Sequence, residues 1–162
     1  MPNFRDPEGG LHFLSDEDIA NGGQSLLPTG SAEVSAPEEA VITLAQAQLQ
    51  KMSDLTAAYA AAIAQPVSFT TSAGVTKTYQ ADPTSVNNLA YMRAAYPTQE
   101  SLPAGFYWKS SDNSRVPFTI ADMAGLAKVM GDQGFAAFDH LDAKKNAVLA
   151  ATTVEQVAGV TW

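Results

Sequence analysis

The sequence predicts an α+β fold: a small N-terminal β-hairpin module, a long central helix, and a C-terminal domain of short β-hairpins and helices. Three observations predict it. Short runs of β-branched and aromatic residues come in pairs around turn-forming Gly, Pro, Asp and Asn. Between Pro37 and Pro66, and again after Pro117, the chain runs without a proline and carries apolar residues at helical spacing. Alanine fills 28 of the 162 positions, so large apolar side chains are scarce, which suits closely packed helices better than a thick β-sandwich. A chain of this length holds about one domain and a small appendage.

The elements follow in order. Asn3-Phe4-Arg5 and Leu11-His12-Phe13-Leu14 flank Asp6-Pro7-Glu8-Gly9-Gly10 and form a hairpin. Ser15 caps a short helical turn opened by Asp16, Glu17 and Asp18 and closed by Gly22-Gly23, completing an acidic module over residues 1–23. Residues 24–36, with Pro28, Gly30 and small polar side chains, read as a linker. Ser35-Ala36-Pro37-Glu38 fits a capping box, and a helix of roughly 28 residues, about 40 Å long, is expected over 37–65. Within it Ile42, Ala45, Leu49, Met52, Thr56, Tyr59 and Ile63 follow alternating steps of three and four. Such a seam either packs inside the domain or joins the chain to a partner, with Ile42, Leu49, Met52, Tyr59 and Ile63 as its interface candidates.

The C-terminal domain, 67–162, opens with a hairpin of Val67–Thr71 and Val75–Tyr79 around Ser72-Ala73-Gly74. Asp82-Pro83 caps a helix carrying Val86, Leu89, Met92 and Arg93 that stops near Pro97. Phe106–Lys109 and Arg115–Phe118 form a third hairpin around Ser110–Ser114. Thr119-Ile120-Ala121-Asp122 starts the last long helix, whose middle is weakened by Gly131 and Gly134. A capped turn at Thr153–Val157 and a terminal Trp162, expected to pack, end the chain.

Charge and composition exclude several functions. The formal net charge is -8, and residues 1–40 hold eight acids against Arg5 alone, so nucleic acid is not an expected partner. Absence of cysteine removes disulfides, thiolate zinc sites and cysteine nucleophiles. His12 and His140 are too few for a three-histidine metal site. The start lacks a basic segment followed by an apolar one, so no secretory signal is expected; Leu55–Thr76 is too polar and broken by Pro66 to span a bilayer. These features suit a soluble protein used in the cytoplasm, or assembled there into something larger.

No motif carries catalytic chemistry, and no catalytic, metal or cofactor-binding residues are expected. Gly125, Gly131 and Gly134 lack the spacing of dinucleotide or phosphate loops and read as helix-packing glycines. His140, between Asp139 and Asp142, has no positioned nucleophile and reads as a surface histidine; His12, beside Phe13, reads as packing. Asp16-Glu17-Asp18 lacks the alternating spacing of a calcium loop. Tyr107 and Trp108 could stack on a sugar, although aromatic residues in a hairpin over a helix mostly serve the core.

Two stretches resemble bacteriophage proteins. Phe4-Arg5-Asp6-Pro7 with Gly9-Gly10, then Ser15-x-x-Asp18-Ile19-Ala20, is similar to the opening module of many phage tail proteins. Thr78–Ser85 with Asn88-Leu89-Ala90, Trp108, Asp112-Asn113, Val116–Thr119 with Ala121-Asp122, Ala150–Thr153 with Glu155, and Trp162 resemble a phage-encoded domain of unknown function found in tail fibre and tail-fibre assembly proteins. That likeness covers about residues 67–162 and leaves the central helix unmatched. It implies a non-enzymatic virion protein of the phage tail that binds a tail fibre or baseplate protein and is assembled in the host cytoplasm. A fibre-assembly chaperone and a carbohydrate-binding host-recognition module are the alternatives. In a tail-fibre setting the central seam is expected to pack around a threefold axis, as a homo-oligomer, or against a fibre helix.

Overall fold

A computed structural model describes residues 3–96 and 102–162, so Pro97, the expected helix stop, lies outside the described residues. The fold is α+β, with small antiparallel strand pairs and long helices. The chain divides into two compact units, Met1–Lys51 with Ala151–Gly159, and Met52–Ala150 with Val160–Trp162.

In the first unit, strands β1 (Asn3–Arg5) and β2 (Leu11–Phe13) form the expected hairpin, with Phe4 opposite His12. Helix α1 (Asp16–Ala20) starts at a complete capping box in which the Asp18 N–H donates to Ser15 Oγ and the Ser15 N–H to the Asp18 carboxylate. Residues 24–36 are more than a linker. They take part in a 3-10 turn at Gly23–Leu26 and include strand β3 (Ala32–Glu33), which pairs with β1 to make a sheet ordered β2-β1-β3. A two-residue strand is too short to show alternation. It is zipped by its neighbour, the Val34 N–H donating to the Asn3 carbonyl at 2.7 Å. Phe4, Val34, Ala151 and Val157 are the buried apolar residues of this unit. The Asn3 amide bonds Glu39, and Arg5 pairs with Glu38 at 2.7 Å, fixing β1 to helix α2 (Ala36–Ile63).

In the second unit, β4 (Val67–Thr70) pairs with β5 (Thr76–Tyr79), and β6 (Tyr107–Lys109) with β7 (Arg115–Pro117). Helix α3 (Pro83–Ala95) has Asp82 as N-cap, its carboxylate accepting from the Thr84 and Ser85 N–H groups, and Pro83 at N1. Helix α4 (Ile120–Ala150) follows, then α5 (Val154–Gly159), which belongs to the first unit. One core joins the two hairpins to α3 and α4: Val67, Tyr79, Ala81, Leu89, Val116, Phe118, Met123, Leu126 and Met130. Tyr79 and Phe118 meet edge to face at 5.4 Å, and Trp108 packs on Phe118 at 6.3 Å.

Gly125 lets α4 approach β4: a Cβ there would lie 2.7 Å from the Phe69 ring. Gly131 and Gly134 face open space, so the helix-packing expectation holds for Gly125 and is corrected for the other two. Gln133 caps the end of α2 from α4, its Nε2 donating to the Ala62, Ile63 and Gln65 carbonyls.

Candidate functional site

Two surfaces carry side chains not consumed by packing, one in the second unit and the other on helices α2 and α4, each helix taken by itself. The first is a groove of about 730 Å³ beside the β6–β7 hairpin. The hairpin is held in place by its turn. The Ser111 N–H donates to the Thr78 carbonyl at 2.8 Å, and Lys77 of β5 reaches Asp112 at 2.7 Å. Asp112 also accepts from Ser110 Oγ at 2.6 Å and from the Ser114 N–H at 3.0 Å. The Lys77 ammonium, then the two serine hydroxyls, hold its carboxyl well below the usual carboxylate range. Asn113 takes φ 63, the left-handed conformation that asparagine tolerates in turns.

Both glycan candidates line this groove, yet they point to opposite faces of β6, since successive strand residues alternate. Trp108 is half-buried against Phe106 and Phe118, and Tyr107 is exposed with the Arg115 guanidinium 4.7 Å above its ring. They do not sandwich one ring. The remaining polar lining includes the exposed side chains of Gln80 and Asn88, neither of which bonds another described residue.

The second surface lies on the long helices. Of the five seam candidates, Leu49 is 73% exposed, whereas Ile42, Met52, Tyr59 and Ile63 are half-buried. Tyr59 and Ile63 line an apolar cleft of about 300 Å³ shared with Ala81, Pro83, Val86 and Met130 of the same unit. The buried face of α2 instead centres on Leu55, 2% exposed, which lies between the seam positions Met52 and Thr56. On α4, Phe135, Phe138 and Leu149 are 73%, 58% and 66% exposed. Phe138 sits beside the inner face of α4, because the inner row runs through Met123, Leu126, Met130, Leu141 and Val148.

The two histidines and the buried titratable side chains make contacts within the fold. His12 Nε2 lies 2.8 Å from Asp6, which also accepts from the Glu8 and Gly10 N–H groups; the imidazole, followed by the Gly10 N–H, lowers the Asp6 pKa. His12 thus serves the hairpin as a hydrogen-bond partner of Asp6. The His140 ring meets Trp162 edge-on at 4.9 Å, which gives the terminal tryptophan its expected contact. Asp122 is buried at the start of α4 and receives the Thr119 N–H and hydroxyl at 2.8 and 2.7 Å and the Ser72 N–H and hydroxyl at 2.6 and 3.1 Å. Burial opposes its charge, but these donors together outweigh burial and lower its pKa. Tyr79 is fully buried; desolvation, helped by the negative fields of Asp122 and Asp112, pushes its phenol up. Among the described residues no group of three or more His, Asp or Glu side chains could hold a metal ion, and no helix is long and apolar enough to cross a membrane.

A family described as Domain of unknown function (DUF4376) matches residues 37–161. The chain belongs to that family. The DUF4376 match takes in helix α2, which the phage resemblance left out, and excludes the N-terminal β-hairpin module. Both candidate surfaces lie inside the DUF4376 region. No curated protein and no solved structure matches the chain.

Proposed function

We propose that this DUF4376 protein is a non-enzymatic bacteriophage tail protein associated with the tail fibre, acting by protein–protein binding as a structural part of the virion. The observation that carries the binding role is the set of large apolar side chains left on the helices, Leu49 on α2 and Phe135, Phe138 and Leu149 on α4. Apolar residues grouped on a helix face mark surfaces that are covered in an assembly. The tail context rests on the resemblance over Thr78–Ser85, Asp112-Asn113 and Val116–Asp122. Asp82, Asp112 and Asp122 in those stretches act as caps and a turn anchor, which suits residues that specify a fold rather than a reaction. The histidines, engaged by Asp6 and Trp162, support the same reading.

Mass spectrometry of gradient-purified phage particles tests it. A structural component appears at a fixed ratio to the fibre protein. A chain found with the fibre in lysate but missing from particles is an assembly chaperone, and one found with neither overturns the tail assignment. The groove favours a second reading, a carbohydrate site in which Tyr107, Gln80 and Asn88 meet a sugar. A glycan array on which binding is present in the wild type and lost in Asn88→Ala would establish it; an array without hits removes it.

A further inference from the structure

We propose that the exposed face of α4 pairs with the same face of a second copy, antiparallel, about a two-fold axis near residues 143–144. This inference stands apart from the tail assignment and rests only on the helix face. Gly131, Phe135, Phe138, Asp142, Lys145 and Leu149 follow one another at steps of four and three, so they form one stripe along α4. Asp142 and Leu149 are exposed with Phe135 and Phe138, and Lys145 is half-buried at the stripe's edge. The Asp142 carboxylate accepts a hydrogen bond from Asn146 at 3.1 Å, and Lys145 makes no ion pair among the described residues.

The order of charges selects the occupant and its direction. Asp139 and Asp142 precede the midpoint, and Lys144 and Lys145 follow it. A parallel copy would place Asp142 on Asp142 and Lys145 on Lys145. An antiparallel copy places each Asp142 opposite the Lys145 of the other chain, and in the same register sets each Phe138 on the other chain's Leu149. Both pairings fall out of one axis, twice each, as an isologous interface requires. Phe135 overhangs the end of the partner helix, which stops at Ala150. The result is a two-fold pair on α4, distinct from the threefold arrangement on α2 that the tail-fibre resemblance implies.

Sedimentation velocity on the full chain at tens of micromolar tests the pairing. The wild type should run at twice its 17.0 kDa mass. Asp142→Lys and Lys145→Asp each create two like-charge pairs and should weaken self-association about tenfold or more. The double variant Asp142→Lys with Lys145→Asp restores opposite charges and should restore the dimer. Phe138→Ser should give a monomer with unchanged circular dichroism. A monomeric or trimeric wild type, single variants that keep the dimer, or a folded double variant that stays monomeric would overturn the proposal. None of these outcomes bears on whether the chain is found in phage particles.

Discussion

Asp122 ties two distant stretches of the second unit together, because its carboxylate accepts from Ser72, fifty residues earlier in the sequence, and from Thr119 at the start of α4. Asp122→Asn substitutes an N–H where donors already converge and should cost about 1–3 kcal/mol at neutral pH. The sign with pH follows from its lowered pKa. The native bonds contribute fully above the unfolded value, near 3.9, and are lost as pH falls through the folded value. The stability gap between wild type and Asp122→Asn, read by urea unfolding, should therefore narrow below about pH 4. Glycines make a paired test. Gly131→Ala, in open space on α4, should stabilise by about 0.5–1 kcal/mol, whereas Gly125→Ala drives a methyl into the Phe69 ring and should lower the melting temperature. Tyr79 Oη is buried without a hydrogen-bond partner among the described residues, so Tyr79→Phe should leave stability unchanged or raise it by about 1 kcal/mol. The caps at Ser15, Asp82 and Thr119 were legible in the sequence because donor and acceptor are within three residues. The Ser72 and Lys77 contacts were not, since only the fold brings the β4–β5 turn and β5 to their partners.

Among the elements, the helices and hairpins were readable to within a residue or two, since each is bounded by Pro, Gly or a cap. The face of α2 was harder. Its turns from Ala57 to Ala64 are mostly alanine, which weakens any apolar stripe, and the seam through Leu49 and Thr56 runs to one side of the buried row through Leu55. The two leucines separate these readings. Leu55→Ala should cost about 2–5 kcal/mol in urea unfolding, and Leu49→Ala less than about 0.5 kcal/mol. Strand β3 was invisible for a different reason: two residues hold no period, and its partner β1 is nearly thirty residues away.

For the whole molecule, the charge asymmetry and the exposed helix residues are complementary clues to binding. The acids of residues 1–40 are spent partly on caps, on the Arg5 pair and on the hydrogen bond to His12, and Leu49 of α2 and Phe135, Phe138 and Leu149 of α4 are left uncovered. Composition could exclude nucleic acid as an expected partner, but the faces available for protein binding needed coordinates, because exposure of Phe138 beside buried Leu141 is a matter of helix phase. The central claim is that the chain works by protein binding through these helix faces. Its most direct test is affinity co-purification of the tagged chain with the tail fibre protein proposed as its partner, comparing wild type with Leu49→Asp. The account predicts that the wild type retains the fibre protein and that the variant, with unchanged circular dichroism, loses it. Failure of the wild type to retain the fibre, or equal retention by the folded variant, would contradict it.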